Sequence, residues 1–284
     1  MEILKSRFVN VAIDQWYQRR QKDAEGDYYR QIATQGPRKD MNETTQGLYA
    51  CSADGKLLGY TNNRGPEAVK RLLKKALQEF QPIPATKIET WKQDPQFVRA
   101  LPEGGLTVTV TSKVLAASEE TDDKRTMIFQ SSLGRDNLWI RKDEHDAIVK
   151  GDLSESLKRR IARFHLIDNT RGEPPMWEDG EIRKLELSLT KGRLKGSVHL
   201  ETKSGDRGYE VEILGVVETK DGKVVRLDAV AKGLFWGHGS YTGLAAPSGK
   251  FTLAIAFTLS EGKEEADKVP PQGTKGWLPT YLNP

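Results

Sequence analysis

From residue 185 to 259, apolar and polar residues alternate through five successive short segments separated by glycine turns. Leu185, Leu187 and Leu189 alternate with Glu186 and Ser188. After Lys191-Gly192, Leu194, Val198 and Leu200 face one way while Ser197, His199 and Glu201 face the other. A period of two marks strands with one wet face. Ser204-Gly205-Asp206 closes the next turn before Val211, Ile213, Val216 and Val217, and Asp221-Gly222 is a favoured hairpin turn into the strand 224–227. A glycine-rich loop, 233–249, leads to Phe251, Leu253, Ile255, Phe257 and Leu259 on one face of a last strand. The pattern predicts a five-stranded antiparallel meander whose oily side must be covered by curling, a second sheet or a helix.

Upstream the period changes. Residues 8–14 read as a buried strand, followed by a polar stretch and a short helix over 28–33 that Gly36-Pro37 ends. Residues 47–52 and 56–60 form a hairpin around Asp54-Gly55. Pro66 then opens a helix to Phe80 in which Val69, Leu72, Leu73, Ala76, Leu77 and Phe80 make one buried stripe. Pro82 and Pro84 stiffen a linker, so the expected organisation is an amino-terminal unit over 1–80, a linker over 81–104 and a β-rich domain over 105–284.

That domain opens with alternation at 106–111, continues through a charged loop over 119–124 and has short strand candidates at 127–129 and 138–140. Ser154 caps one covering helix, with Leu157, Ile161, Phe164 and His165 on its buried face. Residues 168–177 are too polar and proline-bound for regular structure, and Trp277 in the tail is placed to dock as a clasp. The fold class is α+β: a small α/β unit followed by a larger antiparallel sheet, sandwich or barrel.

The order strand, helix, strand, turn, strand and helix over about 8–80, with Asp54-Gly55-Lys56 before the helix from Pro66, resembles the carboxyl-terminal half of a thioredoxin-like domain. The resemblance implies a truncated unit. In that family redox chemistry rests on a Cys-x-x-Cys motif and a cis-proline. Here no such motif occurs, and the cis-proline position reads Thr44-Thr45-Gln46-Gly47. Cys51, on a predicted strand, is expected to be an inert core thiol. The strand missing from the family's sheet leaves an open edge, which predicts a rearranged sheet or a homodimer through the amino-terminal sheet.

Composition narrows the classes. An apolar fraction of 37% supports a packed core, and 44 basic against 40 acidic residues leave a net charge of only +4, which argues against nucleic acid as a main partner. One cysteine excludes an internal disulfide and any multi-thiolate zinc site. No run is long enough to span a bilayer and no secretory signal opens the chain, which reads as cytoplasmic as it stands and extracytoplasmic if a signal segment precedes it.

Candidate chemistry gathers at three places. Trp236, His238, Ser240 and Tyr241 combine aromatic surface, an imidazole and hydroxyls between glycines, and are read as ligand contacts, with His238 and Ser240 as catalytic candidates. Asp168, Arg171, Glu173 and Trp177 form a second cluster: either a structural ion pair, or acids (Asp168, Glu173) and ligand contacts (Arg171, Trp177) at a seam with the Trp236 loop. Asp143, Glu144 and His145 are metal candidates, against the plain reading of a solvated charged turn. No phosphate cradle or dinucleotide fingerprint assigns a cofactor.

The leading expectation is a non-redox two-domain binding or interaction protein, its partner a small molecule or another protein, with its site in the β-rich domain. The alternatives are a hydrolase or metal-dependent enzyme around 236–241, and a thiol-redox protein if the natural chain starts upstream.

Overall fold

The structure, a computed structural model, describes residues 2–84, 92–97, 99–115, 127, 131–243 and 248–284. It is a mixed helix-and-strand protein that divides into two compact units, residues 1–99 and 100–284. Most of the strand expected at 127–129 and the charged loop at 119–124 lie outside the described residues.

The first unit is built on a two-stranded antiparallel sheet, β1 (Leu48–Cys51) and β2 (Leu57–Thr61), reversed through Gly55 at φ 83°. Helices α1 (Glu2–Arg7) and α2 (Gln15–Gln18) precede α3 (Ala24–Ala33) and α4 (Pro66–Glu79). Asp23 caps α3 by accepting from Gly26 N at 3.0 Å, which starts the helix earlier than expected and turns Tyr29, Ile32 and Ala33 inward. In α4, Leu72 and Ala76 pack on Ala50 and Leu58 with Phe8 at the margin. Residues 94–97, read as linker, return to this unit: Asp94 N donates to Asp23 Oδ2 at 2.8 Å, and Phe97 meets Tyr17 edge to face.

Residues 8–14 correct the sequence reading. They form no strand, and Val9, Val11 and Ile13 are exposed. Alternation shows what a segment could pair with, not that a partner edge is present.

The second unit is a seven-stranded antiparallel sheet in the order β4-β3-β9-β8-β7-β6-β5. The expected meander is β5 (Ile182–Thr190), β6 (Arg193–Glu201), β7 (Gly208–Lys220), β8 (Lys223–Trp236) and β9 (Lys250–Leu259). β9 is extended by β3 (Leu106–Val114) and β4 (Gly134–Ile140). Its inner face, including Val110, Leu138, Leu200, Tyr209, Ala231 and Ile255, is fully buried. Ser154 caps the covering helix by accepting from Leu157 N at 3.1 Å; the helix Glu155–Arg160 continues into a wider π turn, Ile161–His165. Together they touch both edge strands, β4 and β5. The sheet therefore curls around its apolar face, and the helix fills the gap that strand pairing does not close.

Two elements depart from expectation. β8 runs on to Trp236, so this tryptophan belongs to a strand rather than to the loop that follows. Residues 142–149 are a helix, α5 (Lys142–Val149), where a charged turn was expected. Glu144 and Ile148 are its buried positions, one turn apart.

Candidate functional site

Segment 168–177 and the loop after β8 are brought together, as the seam reading required, but the charged residues face inward. Asp168 is 2% exposed; its Oδ2 accepts from Arg171 Nε at 2.8 Å and Nη2 at 2.6 Å, and its Oδ1 accepts from Thr170 N at 2.9 Å. Arg171 Nη1 then donates to the Thr242 carbonyl at 2.8 Å, tying the segment to the loop. Gly172, at φ 48°, lies so close to Tyr241 that a Cβ would sit 2.2 Å from its carbonyl oxygen. Trp177 is 1% exposed, donates to the Leu166 carbonyl at 2.8 Å and is capped by the Arg207 guanidinium 3.9 Å from its ring centre. Asp168 and Arg171 thus hold the loop from beneath, and neither they nor Trp177 offer surface to a ligand, while Glu173 is exposed.

Above this support a cleft of about 430 Å³ opens at the end of the sheet, lined by Asp206, Trp236, Gly237, His238, Gly243, Ser248 and Gly249. Strand register places Glu201, Gly208, Trp236 and Lys250 in one cross-strand row. Only glycine fits at 208, because a Cβ there would meet the Trp236 ring at 2.1 Å. The indole Nε1 donates to the Gly205 carbonyl at 3.0 Å, which fixes the ring on the outer face. Lys250 Nζ lies 4.1 Å from its centre and also meets Glu210 at 3.0 Å, while the His199 ring stands 6.4 Å away. Asp206 carries a carboxyl held below the ordinary range, chiefly by the hydroxyls of Thr202 and Ser204, and stays ionised at the mouth.

His238 and Ser240 are both exposed, and no hydrogen bond joins them among the described residues; His238 Nδ1 sits 3.1 Å from the Gly239 carbonyl. Among the described residues, no hydrogen bond couples a hydroxyl to His238 as a nucleophile–base pair would require. Tyr241 is 76% exposed. Asp206, Ser248 and Lys250 were not singled out from sequence; the signal was the pairing register that sets strand ends and turns beside Trp236.

The metal reading is corrected. Asp143, Glu144 and His145 follow one another on α5 and therefore point apart by roughly a third of a turn each. Asp143 pairs with Arg141 at 2.9 Å, Glu144 is buried against Arg160 at 2.7 Å, and His145 Nε2 accepts from Val224 N at 3.2 Å. Among the described residues, no group of three His, Cys, Asp or Glu side chains is arranged to hold an ion.

A second polar cluster, hidden from sequence reasoning, lies under the carboxyl-terminal helix α6 (Leu278–Leu282). Arg160, fully buried, donates to both Glu144 oxygens at 2.7 Å, to the Trp139 carbonyl at 2.9 Å and to the Tyr281 carbonyl at 3.0 Å. His165 Nε2 is 2.7 Å from the Tyr281 hydroxyl, and Nδ1 lies 3.0 Å from Asp136 Oδ2, though off the line a hydrogen bond needs. Burial raises the Tyr281 phenol well above its ordinary value despite the nearby Arg160, so it keeps its proton. Tyr281 and His165 are completely buried, so this chain of groups anchors the tail and does not meet solvent.

In the first unit Cys51 is half-buried, its Sγ 4.0 Å from the Tyr28 hydroxyl. Burial pushes the thiol up and Asp54 adds to this, with Tyr28 opposing. Burial and Cys51 in turn push the Tyr28 phenol up to about 12. Because the thiolate is the reactive form, Cys51 should react with iodoacetamide at pH 8 several-fold more slowly than free cysteine; an equal or faster rate, followed by mass spectrometry, would show an activated thiol.

No helix among the described residues is long and apolar enough to cross a membrane. No family model, curated protein or solved structure matches the chain.

Proposed function

We propose that the chain is a non-redox binding protein whose β-rich unit takes a small ligand in the cleft beside Trp236. The observation that carries this reading is the cleft itself: a rigid indole at its wall, with Asp206, His238 and Ser248 around it. An indole offers a flat apolar surface and these side chains offer hydrogen bonds, so the ligand has one flat face and a polar edge. The buried Asp168–Arg171–Thr242 link supports the same reading, since a binding loop must be held in place before its ligand arrives.

We further infer that the amino-terminal unit is a thioredoxin-like remnant that serves as a scaffold and associates through its sheet. A raised thiol without a second cysteine supports a unit with no exchange chemistry.

Trp236 reports on the site directly. Titration of the purified chain with a panel of sugars, nucleosides and aromatic acids should shift the tryptophan emission for one class, and the shift should vanish in Trp236→Ala, which separates it from the five other tryptophans. Trp236→Ala should then weaken that binding roughly thirtyfold, the effect of losing an interface tryptophan worth about 2 kcal/mol. A panel that leaves the emission unchanged, or a ligand held equally well by the variant, would remove the site.

A further inference from the structure

We propose that residues 9–13 of one copy of the chain form a third strand on the free edge of β1 in a second copy, and the second returns the same strand to the first. This is independent of the ligand site. Val9, Val11 and Ile13 are 93%, 74% and 45% exposed, and they alternate with Asn10 and Ala12. β-Branched residues at every second position fit a pleated, half-buried surface, yet here all three stay exposed. Residues 9–13 also make no backbone hydrogen bond with any described residue; the one polar contact of the segment is Asn10 Nδ2 donating to the Leu4 carbonyl at 3.1 Å. A strand-forming sequence is thus presented with both its apolar face and its ladder groups unused.

The complementary half is on the same unit. Among the described residues β1 pairs only with β2, and a two-stranded sheet is marginal in water. Natural edges are protected by charges, proline or bulges. Leu48, Tyr49, Ala50 and Cys51 of β1 carry no charge and no proline, and Leu48 is exposed. The five residues of the free segment match the four of β1 in length.

Phe8 decides the geometry of exchange. It rests against the core made by Ala50, Leu58, Leu72 and Ala76, so the segment leaves its own unit from beside that sheet. When each copy has both a donor strand and an acceptor edge at one place, two copies related by a two-fold axis satisfy each other and leave neither part over. Addition of an extended segment to a sheet edge obtains its affinity from main-chain hydrogen bonds and its specificity from alternate side chains.

Light scattering on the full chain after size-exclusion chromatography, over a wide range of concentration, tests the idea. The expected result is a dimer that Val11→Pro converts to a monomer, because proline removes a ladder donor in mid-strand. Val9→Lys, at a fully exposed position that cannot disturb the fold, should do the same, with circular dichroism unchanged in both variants. A wild-type chain that is monomeric at every concentration, or a dimer that both variants leave intact, would overturn the proposal. So would a monomer in which amides 9–13 resist hydrogen exchange, since the strand would then have paired with its own sheet.

Discussion

Arg160→Met will destabilise the β-rich unit by about 3–5 kcal/mol, the cost of breaking a buried ion pair from one side. The guanidinium is fully buried, and it serves the Glu144 carboxylate together with the carbonyls of Trp139 and Tyr281. A methionine keeps most of the apolar stem but is shorter than the guanidinium and donates nothing. Glu144 keeps Arg141, 3.3 Å away, and loses the only fully buried cation beside it. The carbonyls of α6 lose the group that holds the tail down, so Tyr281 and Leu278 should leave Trp139 and Phe164 before the sheet opens. Urea unfolding followed by tryptophan emission reads both events. Adding Glu144→Gln to Arg160→Met should recover part of the loss by removing the stranded charge, though not the carbonyls' missing donor. A loss below about 1 kcal/mol for Arg160→Met would mean the cluster does not carry the tail.

None of that cluster could be read from the chain in order. Glu144 and Arg160 look like two members of charge-rich stretches, and their pairing depends on α5 and the covering helix being brought side by side. The meander was legible because a two-residue period is local and repeats through β5 to β9 with glycine at each reversal. The covering helix was legible for the same kind of reason, with Ser154 as its cap and Leu157 and Ile161 on one face. Residues 8–14 show where local pattern stops. The same alternation that marks β9 marks this segment, and only the presence of a neighbouring edge separates a strand from an exposed run.

The site divides in a similar way. That Asp168 and Arg171 pair was readable from their spacing of three. That the arginine's remaining donor reaches Thr242, seventy-one residues on, was not. Of the two readings of this cluster, a structural ion pair or a seam around a ligand, the charges follow the first. They are spent below the surface, and the cleft is bordered by strand-end and turn residues whose nearness follows from register.

Asp168→Ala should therefore abolish binding in the cleft without touching its ligand. The substitution leaves the Arg171 guanidinium, 7% exposed, without the oxygen that takes two of its N–H groups, and frees the backbone of Thr170. A buried charge deprived of its partner costs about 3–5 kcal/mol. It relaxes by moving toward water, and that movement pulls on the Thr242 carbonyl and on the turn in which Thr242 N donates to Gly239 O at 3.1 Å. Hydrogen exchange at Thr242 should accelerate while the amides of β7 and β8 keep most of their protection. Trp236→Ala is the counterpart: it removes the ligand's platform from a half-buried position on the outer face and should cost only about 1–2 kcal/mol of stability, leaving exchange at Thr242 unchanged. A variant at Asp168 that retains both stability and the protection of Thr242 would show that the loop is positioned by something other than this ion pair. Loss of binding in Trp236→Ala but not in Asp168→Ala would confine the site to the outer face of the sheet.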